Sequence, residues 1–462
     1  MPSITVLLGL IAVPLLALAA VRWQRALLMA LPFLVTFNRL TIPLAGVSLR
    51  MDQIAACLLL VPLGASILLG VRRFRTDGTM WWLAAILTLN LLASVLHSPA
   101  RTYSLTQCAN LASVWVIYVV LVNFLDGRAE LDAFLRCVLW AAIVASGIAV
   151  IAFMLAVSGV PVGGAEVSAS AVQSLTAAYG AYGTMVEPNI LGSFTAAHLV
   201  LAVALLITAT PASLTKGETG LLRAVAAFAA AALVLSFTRG AWLGAIAGLL
   251  CFAVFGMWTI AVRLPVRRIM SFLAVAVALV TVALLLPGDA GTLFRFKLFN
   301  LVNLGSQTAI VRLFAYTTAL QQTVDHPIVG WGTFTFAPLV AQGSDFQQFD
   351  NWRNLWIGNY LLLAAHDTGL VGLGLWVGML ATLVGRSVAT IRALASTDPI
   401  VASRILALTA AVATLLVAFL ATSGFSLGYS WLIMGLLGAY RRVAAERLPS
   451  SSEAPSSTPA DA

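Results

Sequence analysis

The most unusual feature of this sequence is how little charge it carries. Aspartate, glutamate, lysine and arginine make up only 9% of its 462 residues, against about 25% in soluble domains. So few charged side chains cannot cover a water-facing surface, which excludes a soluble globular fold. Hydrophobic residues account for 61% of the chain and the mean hydropathy is +0.99. These values indicate an integral membrane protein.

Lysine and cysteine are also scarce. Of the 26 basic residues only Lys216 and Lys297 are lysines, which leaves 24 arginines. Most arginines stand singly between apolar runs, where such residues set membrane topology. The net charge of +9 therefore gives no reason to predict nucleic-acid binding. The four cysteines lie in or beside different apolar runs without metal-ligand spacing, so we interpret them as packing residues.

Apolar runs of about membrane-spanning length follow one another along the chain. A helix that crosses a bilayer needs ~20 apolar residues, and the alternating pattern of β-barrel strands is absent. The second run is short and contains proline, so 12 or 13 spans are expected. The sequence predicts an all-α polytopic membrane protein, with runs at 4–20, 26–40, 53–70, 80–97, 109–125, 134–157, 189–209, 222–238, 241–262, 269–287, 356–384, 402–422 and 424–440.

Three segments depart from this pattern. Residues 158–188 are rich in glycine, alanine and serine, and residues 288–354 form a long loop that we expect to fold with its apolar face on the bundle. Residues 447–462 are rich in serine, proline and alanine and are predicted to be a disordered tail. We therefore predict one transmembrane domain over residues 1–446, which includes the long loop.

Basic residues orient the bundle, because positively charged loops stay in the cytoplasm. With alternating helices, most basic clusters fall on one side, which we assign to the cytoplasm. The tail is then cytoplasmic and the loop 288–354 is extracytoplasmic. The clusters are Arg72, Arg73 and Arg75; Arg128 and Arg136; Lys216 and Arg223; Arg263, Arg267 and Arg268; Arg386, Arg392 and Arg404; and Arg441 and Arg442.

Eight basic residues lie on the opposite side, where topology does not require them. Arg239 is the most notable, because it stands between two apolar runs with almost no loop. A charge at a helix centre costs about 2.5–3.5 kcal/mol on insertion scales. Arg239 is therefore either an arginine that snorkels to the interface or part of an anion site. The eight residues are Arg39, Arg50, Arg101, Arg239, Arg295, Lys297, Arg312 and Arg353.

The chemistry of these side chains favours phosphate as the anion. Guanidinium is planar, permanently charged and suited to bidentate phosphate binding. Several arginines at one membrane face suit a lipid-linked pyrophosphate better than a carboxylate, although lipid head groups would use the same residues. The sequence has no glycine-rich phosphate loop of the nucleotide type. The energy for a reaction would then come from the substrate itself.

Four motifs in order resemble those of the O-antigen ligase and polymerase superfamily. Glu187-Pro188-Asn189 resembles its acidic-Pro-Asn motif, and Ser236-Phe-Thr-Arg-Gly-Ala-Trp-Leu-Gly244 is similar to its Ser-x-Ser/Thr-Arg-Gly-Ala-Trp-Leu-Gly signature. Arg312 precedes His326-Pro-Ile-Val-Gly-Trp-Gly332 at the family's spacing. Asn359-Tyr360-Leu361 and Asp367-Thr-Gly-Leu-Val-Gly372 resemble a further element of the family.

The resemblance implies a metal-independent glycosyltransferase without cofactors that acts on saccharides carried by undecaprenyl diphosphate. Its partners would be that lipid-linked donor, a glycan or lipid acceptor, and the membrane lipids. Arg239 and Arg312 would form a phosphate clamp that stabilises the leaving pyrophosphate. The predicted substrate-binding set is Arg239, Arg312, Arg353, Asn189 and Tyr360. Arg312 has the alternative of a solvated charge, and Asn189 that of a helix cap.

This sequence departs from the family at one position. Counted back from Tyr360, the family's His-Asn pair falls on Ile357-Gly358. A general base must reach the acceptor hydroxyl within about 3 Å, and the candidates that remain are His366, Asp367 and Glu187. Each has a structural alternative. His366 could be a packing residue held by hydrogen bonds, and Asp367 a carboxylate that pairs with a helix end or a loop. Glu187 could be a charge at the N-terminus of a helix, where the helix dipole favours it.

Polymerase and ligase differ only in the acceptor, which the sequence does not identify; the missing pair favours an exopolysaccharide polymerase. The alternative class is a membrane transporter of a small anion or glycan. A transporter is expected to carry ionisable residues at mid-bilayer. The runs 134–157, 241–262 and 269–287 have almost no charge at their centres, which favours chemistry at the surface. A structural scaffold would leave the outer arginines unexplained.

Overall fold

The computed structural model describes residues 18–44, 47–160, 163, 165–166, 180–208, 214–260, 307–342 and 356–446, together with isolated residues between 278 and 296. The chain is an all-α polytopic membrane protein, which confirms the predicted fold class. In the described residues, nine helices are long and apolar enough to cross a membrane. They are α2 (Met51–Leu68), α3 (Gly78–Leu96), α4 (Arg101–Phe124), α5 (Arg128–Val157), α6 (Pro188–Thr208), α7 (Lys216–Leu235), α8 (Arg239–Ile260), α11 (Tyr360–Leu394) and α12 (Pro399–Ala418).

The remaining elements are shorter or less apolar. They are α1 (Gln24–Leu34), α9 (Gln307–Asp325), α10 (Phe336–Gln342), a 3-10 turn (Gly424–Ser426), α13 (Gly428–Ala445), and the strands β1 (Thr41–Leu44), β2 (Val47–Arg50), β3 (Ala165–Glu166) and β4 (Gly180–Ala181). The antiparallel pair β1–β2 forms a small hairpin and β3 pairs with β4. These strands could not be predicted from the sequence, because they are too short to show an alternating pattern of apolar and polar residues.

Two of the predicted spans correspond to helices outside this set of nine. The run 26–40 becomes α1, whose 11 residues reach only about 16 Å at 1.5 Å per residue, well short of a bilayer core. The run 424–440 becomes α13, nearly all of whose residues are buried. Most of the runs 4–20 and 269–287, and the whole of the tail 447–462, lie outside the described residues.

Basic clusters from different loops meet at one end of the bundle. Asp126, between α4 and α5, pairs with Arg72, with Arg75 and with Arg442 at the end of α13. A second carboxylate, that of Asp132, pairs with Arg404 on α12 at 2.5 Å. The helices therefore alternate in direction as the sequence predicted, and the opposite end, where α8 begins and α12 ends, is called the outer end below. Which end faces the cytoplasm stays a prediction.

Two buried helices form the centre of the bundle. The residues of α6 are almost all buried, and the hydroxyls of Ser193 on α6 and Tyr429 on α13 lie 2.7 Å apart. Three aromatic rings pack together around the start of α13. The ring centroid of Phe425 lies 5.0 Å from that of Tyr360 and 5.9 Å from that of Trp431. These contacts fix the outer ends of α11, α12 and α13 against one another.

The helix α11 is broken near its outer end. Gly369 has φ 67° and ψ −172°, values that a residue with a side chain rarely adopts. The break separates a short outer segment from the 25 residues 370–394 that cross the membrane. A side chain at Gly369 would collide with the carbonyl of Ile328, so the glycine lets the loop before α10 dock into the break.

Candidate functional site

The tight turn between α7 and α8 holds Arg239 at the outer end. Phe237 adopts φ 51°, a strained conformation for a residue with a side chain. The turn is held by hydrogen bonds to the Leu233 carbonyl from the Ser236 hydroxyl, at 2.7 Å, and from the Trp242 indole, at 3.0 Å. These bonds explain why serine and tryptophan flank the arginine, which is half-buried as the first residue of α8.

A stripe of glycines fixes the depth of α8 against α12. Gly240, Gly244 and Gly248 recur every four residues on one face, the spacing that lets membrane helices approach closely. A Cβ at Gly240 would lie 2.6 Å from the Cβ of Ala421, and one at Gly244 would lie 2.6 Å from the Thr414 carbonyl oxygen. The glycines in Arg-Gly-Ala-Trp-Leu-Gly therefore determine how closely α8 packs and, through that, where Arg239 lies.

The Glu187-Pro188-Asn189 motif lies directly beside this turn. The Thr238 hydroxyl donates to the Pro188 carbonyl at 3.1 Å, which joins the two motifs. The backbone carbonyl of Glu187 accepts from the first amides of α6, so this residue also begins the helix. Burial raises the pKa of the Glu187 carboxyl above its ordinary value, against the opposing effects of a hydrogen bond from Asn189 and the charge of Arg312.

Arg312 reaches this site from the loop helix α9. Ala315 and Ala319 seat α9 on a small cluster with Phe336 and Ile357. The Tyr316 hydroxyl lies 3.3 Å from the Gly358 carbonyl oxygen, which anchors the helix at the start of α11. Tyr316 was not singled out in the sequence, although it lies one helical turn after Arg312 and shares its face.

Three motifs that are far apart in sequence therefore meet at the outer end. The charge of Arg312 acts on the guanidinium of Arg239 and on the carboxylate of Glu187. We call these three residues the outer cluster. Two arginines and one carboxylate give a net charge of +1, and like charges held close repel. The arrangement favours the binding of an anion.

Tyr429 is a further neighbour of the outer cluster that the sequence analysis missed. It lies within electrostatic range of Glu187 and is fully buried on α13, where it contacts Ser193. Nothing in the local sequence marks it, because its position depends on how α13 packs against α6.

His366 and Asp367 lie together on the outer segment of α11, but their contacts are those of an anchor. The imidazole is completely buried, with Nδ1 2.8 Å from the Asp367 carboxylate and Nε2 2.9 Å from the Gln322 side-chain oxygen. The other carboxylate oxygen accepts from the Phe334 amide at 2.8 Å. As catalytic residues they stay a prediction. In the structure, the His366 and Asp367 side chains hold Gln322 and Phe334, and with them the loop, against α11.

The His326-Pro-Ile-Val-Gly-Trp-Gly332 turn is the partner of this anchor. The amides of Trp331 and Gly332 donate to the carbonyls of His366 and Asp367, at 3.0 and 2.8 Å. A Cβ at Gly330, which has φ 77°, would lie 2.5 Å from the backbone of Asp367. The glycines of this motif are therefore required by backbone packing.

The contacts of Tyr360 are those of a packing residue. Its ring is buried against Phe425, and its amide donates to the Phe419 carbonyl at 3.1 Å. Together with Asp367 it lines a cavity of about 40 Å³, which also borders Asn90. The volume suits two or three water molecules and is too small for a sugar ring. The predicted substrate residue Arg353 and the outer-side Lys297 lie outside the described residues.

Two other arginines at the outer end have structural partners. The guanidinium of Arg39 lies 4.9 Å above the ring of Tyr182. Arg50 donates to the Ser426 carbonyl at 2.9 Å and pairs with the buried Asp52 at 3.3 Å. These contacts account for both residues without a substrate, which separates them from the outer cluster.

The chain matches a known protein family over part of its length. Residues 224–377 match the family model described as O-antigen ligase, about a third of the chain. The matched part contains Arg239, Arg312, Tyr360 and the His366–Asp367 pair, whereas Glu187 lies before it. A search of curated proteins finds no match. The resemblance seen in the motifs is thereby confirmed for this part of the chain: residues 224–377 of this membrane protein match the O-antigen ligase family.

Proposed function

We propose that the protein transfers a saccharide from a polyprenyl diphosphate, of the undecaprenyl type, to a hydroxyl of a glycan or lipid acceptor. The reaction takes place at the outer face of a bacterial inner membrane and uses no metal. The observation that supports this most strongly is the outer cluster. It combines two guanidinium groups and one carboxylate at the end of the bundle where a membrane-borne diphosphate would lie.

The proposed roles follow from the charges. The bond between the anomeric carbon and the diphosphate oxygen breaks, and the polyprenyl diphosphate leaves with the bonding electrons. Arg239 and Arg312 bind this leaving group, because charge on the diphosphate grows as the bond breaks and preorganised cations stabilise that charge. The acceptor oxygen forms the new glycosidic bond to the same carbon.

Glu187 takes the proton of the acceptor hydroxyl in this proposal. Its half-buried carboxylate lies within electrostatic range of Arg312, and its raised pKa makes it a better base than an exposed glutamate. Asp367 is a weaker candidate, because both of its oxygens already accept hydrogen bonds that hold the loop. Asn189, which bonds the Glu187 side chain, is then a positioning residue.

Lysine substitution at the two arginines tests the clamp. Lysine keeps the charge but loses the planar fork that binds a phosphate through two bonds. A charge-assisted contact is worth about 1.5–3 kcal/mol, so Arg239→Lys and Arg312→Lys should each slow transfer roughly 10- to 150-fold, since 1.4 kcal/mol is a factor of ten. The assay is glycan formation in a deletion strain, with expression checked by immunoblot.

Arg75→Lys is the matched control. Arg75 belongs to the ionic network at the other end of the bundle, where it pairs with the partly exposed Asp126. Such exposed pairs contribute little, so this variant should keep full activity. If both Arg239→Lys and Arg312→Lys were as active as Arg75→Lys, the arginines would only be snorkelling to the interface and the clamp would be refuted.

A further inference from the structure

The outward face of α9 is apolar, which is unexpected for a helix in an extramembrane loop. Its exposed large side chains follow one another at three, seven and four residues, spacings that place them on one face of the helix. Between 56% and 75% of each of these side chains is exposed. They are Ile310, Leu313, Leu320 and Val324.

The inward face of α9 has the opposite character. It consists of Arg312, Gln322, the Tyr316 hydroxyl and the two small residues Ala315 and Ala319. A helix in water places its large apolar side chains inward and its polar side chains outward. Here the large apolar side chains are on the exposed side, beside the smaller number of exposed polar residues such as Thr317 and Gln321, an arrangement that is unfavourable in water. Our sequence prediction that the loop packs its apolar face on the bundle holds for Ala315, Ala319, Phe336 and Val340, but not for this face of α9.

The apolar face of α9 continues directly into the lipid-facing surface of the bundle. The amides of Leu370 and Val371 donate to the carbonyls of Pro327 and Ile328, which ties the end of α9 to the outer end of the membrane-crossing part of α11. Leu370 is 61% exposed and Ile328 67% exposed. Exposed apolar side chains therefore lie on both sides of the junction between a spanning helix and α9.

We propose that α9 lies in the outer leaflet of the bilayer, with the face of Ile310, Leu313, Leu320 and Val324 inserted among the lipid acyl chains. A helix with one apolar face and one polar face lies in the plane of the interface, its apolar side at the boundary between head groups and acyl chains. The 19 residues of α9 would cover about 28 Å of membrane surface. The inserted face is opposite to the one that carries Arg312. This interaction does not depend on the proposed reaction.

Spin-label accessibility in proteoliposomes tests this placement. Leu313→Cys and Leu320→Cys are made in a variant whose four native cysteines are replaced by alanine, and each is labelled with a nitroxide. Collision with oxygen, which partitions into lipid, is compared with collision with a water-soluble nickel chelate. Leu250→Cys, on the exposed face of the spanning helix α8, is the lipid reference. Ser396→Cys, in the exposed turn before α12, is the water reference.

The oxygen-to-nickel ratio at positions 313 and 320 should match position 250 and exceed position 396 several-fold. A ratio like that of position 396 would show a helix in water and overturn the proposal. Low collision with both reagents would show a protein partner on this face and would overturn it as well. Photo-crosslinking from benzoylphenylalanine at position 313 in the native-cysteine chain should capture phospholipid. Absence of lipid adducts at 313 when they form at 250 would also contradict the proposal.

Discussion

At the scale of single residues, the outer cluster depends on a balance around Glu187. Burial favours its neutral form, whereas Asn189 and Arg312 favour the carboxylate, and burial has the larger effect. The sequence identified Glu187, Arg239 and Arg312 because each lies in a motif. It could not rank Glu187 above Asp367, since that order depends on which carboxylate oxygens are already occupied by the fold.

A pH profile tests Glu187 as the base. The carboxylate is the active form, so activity should fall as the pH drops through its pKa, which burial places above the ordinary 4.5. Asn189→Ala removes a hydrogen bond that favours the carboxylate, so the acid limb should move to higher pH. Glu187→Gln should lose about 100-fold or more of the activity and lack this limb, because general bases contribute roughly 10²–10⁴. An acid limb that stays in place in both variants would contradict the assignment.

Asp367 provides the comparison at the same scale. As an anchor, Asp367→Asn should keep more than about a tenth of the activity, since its remaining side-chain oxygen can still accept from Phe334. Asp367→Ala should lower thermal stability, because it leaves the buried His366 and Phe334 donors without partners, at about 1–3 kcal/mol each. Glycan formation and thermal unfolding in detergent check both. If Asp367→Asn were as inactive as Glu187→Gln, Asp367 would instead be the base.

At the scale of elements, close helix packing sets the position of the site. The glycine stripe of α8 brings it against α12, and a Cβ at any of the three glycines would lie closer than 3.0 Å to an atom of α12 or of Ala421. Apolar periodicity predicted most helices well, since length and hydropathy suffice for that. It missed the break at Gly369. Hydropathy does not register a backbone that turns to admit a loop.

A pair of glycine-to-alanine variants tests the packing. Gly244→Ala places a Cβ 2.6 Å from the Thr414 carbonyl oxygen, and overpacking of this kind costs about 1–3 kcal/mol. Thermal stability in detergent should fall, and activity should fall with it as Arg239 shifts. Gly374→Ala, on α11, meets no atom within 4 Å, so it should be neutral or slightly stabilising through helix propensity. Equal stability of the two variants would contradict this packing.

At the scale of the whole molecule, the charges divide the protein into two ends. The ionic network around Asp126 and Asp132 occupies one end and the outer cluster the other. Counting arginines in the sequence was enough to predict this division, because topology depends on the sum of charges in each loop. The meeting of Glu187, Arg239 and Arg312 could not be predicted in the same way, since it depends on the packing of helices 50 and more residues apart.

Orientation follows from the positive-inside rule and can be measured in intact cells. An impermeant maleimide should label Ala341→Cys, in the exposed end of α10, and should not label Ser452→Cys in the C-terminal tail until the membrane is opened. The chain without added cysteine gives the background. The reverse pattern would place the outer cluster in the cytoplasm and would exclude the proposed reaction there.

The central claim is that Arg239 and Arg312 bind a lipid-linked diphosphate as the leaving group. The most direct measurement is saccharide transfer by the purified protein in proteoliposomes, with two donors that carry the same saccharide on a polyprenyl diphosphate or a polyprenyl monophosphate. We predict rapid transfer from the diphosphate alone, slowed roughly 10- to 150-fold by Arg239→Lys or Arg312→Lys and unchanged by Arg75→Lys. Equal transfer from the two donors, or a diphosphate rate that neither substitution lowers, would contradict the claim.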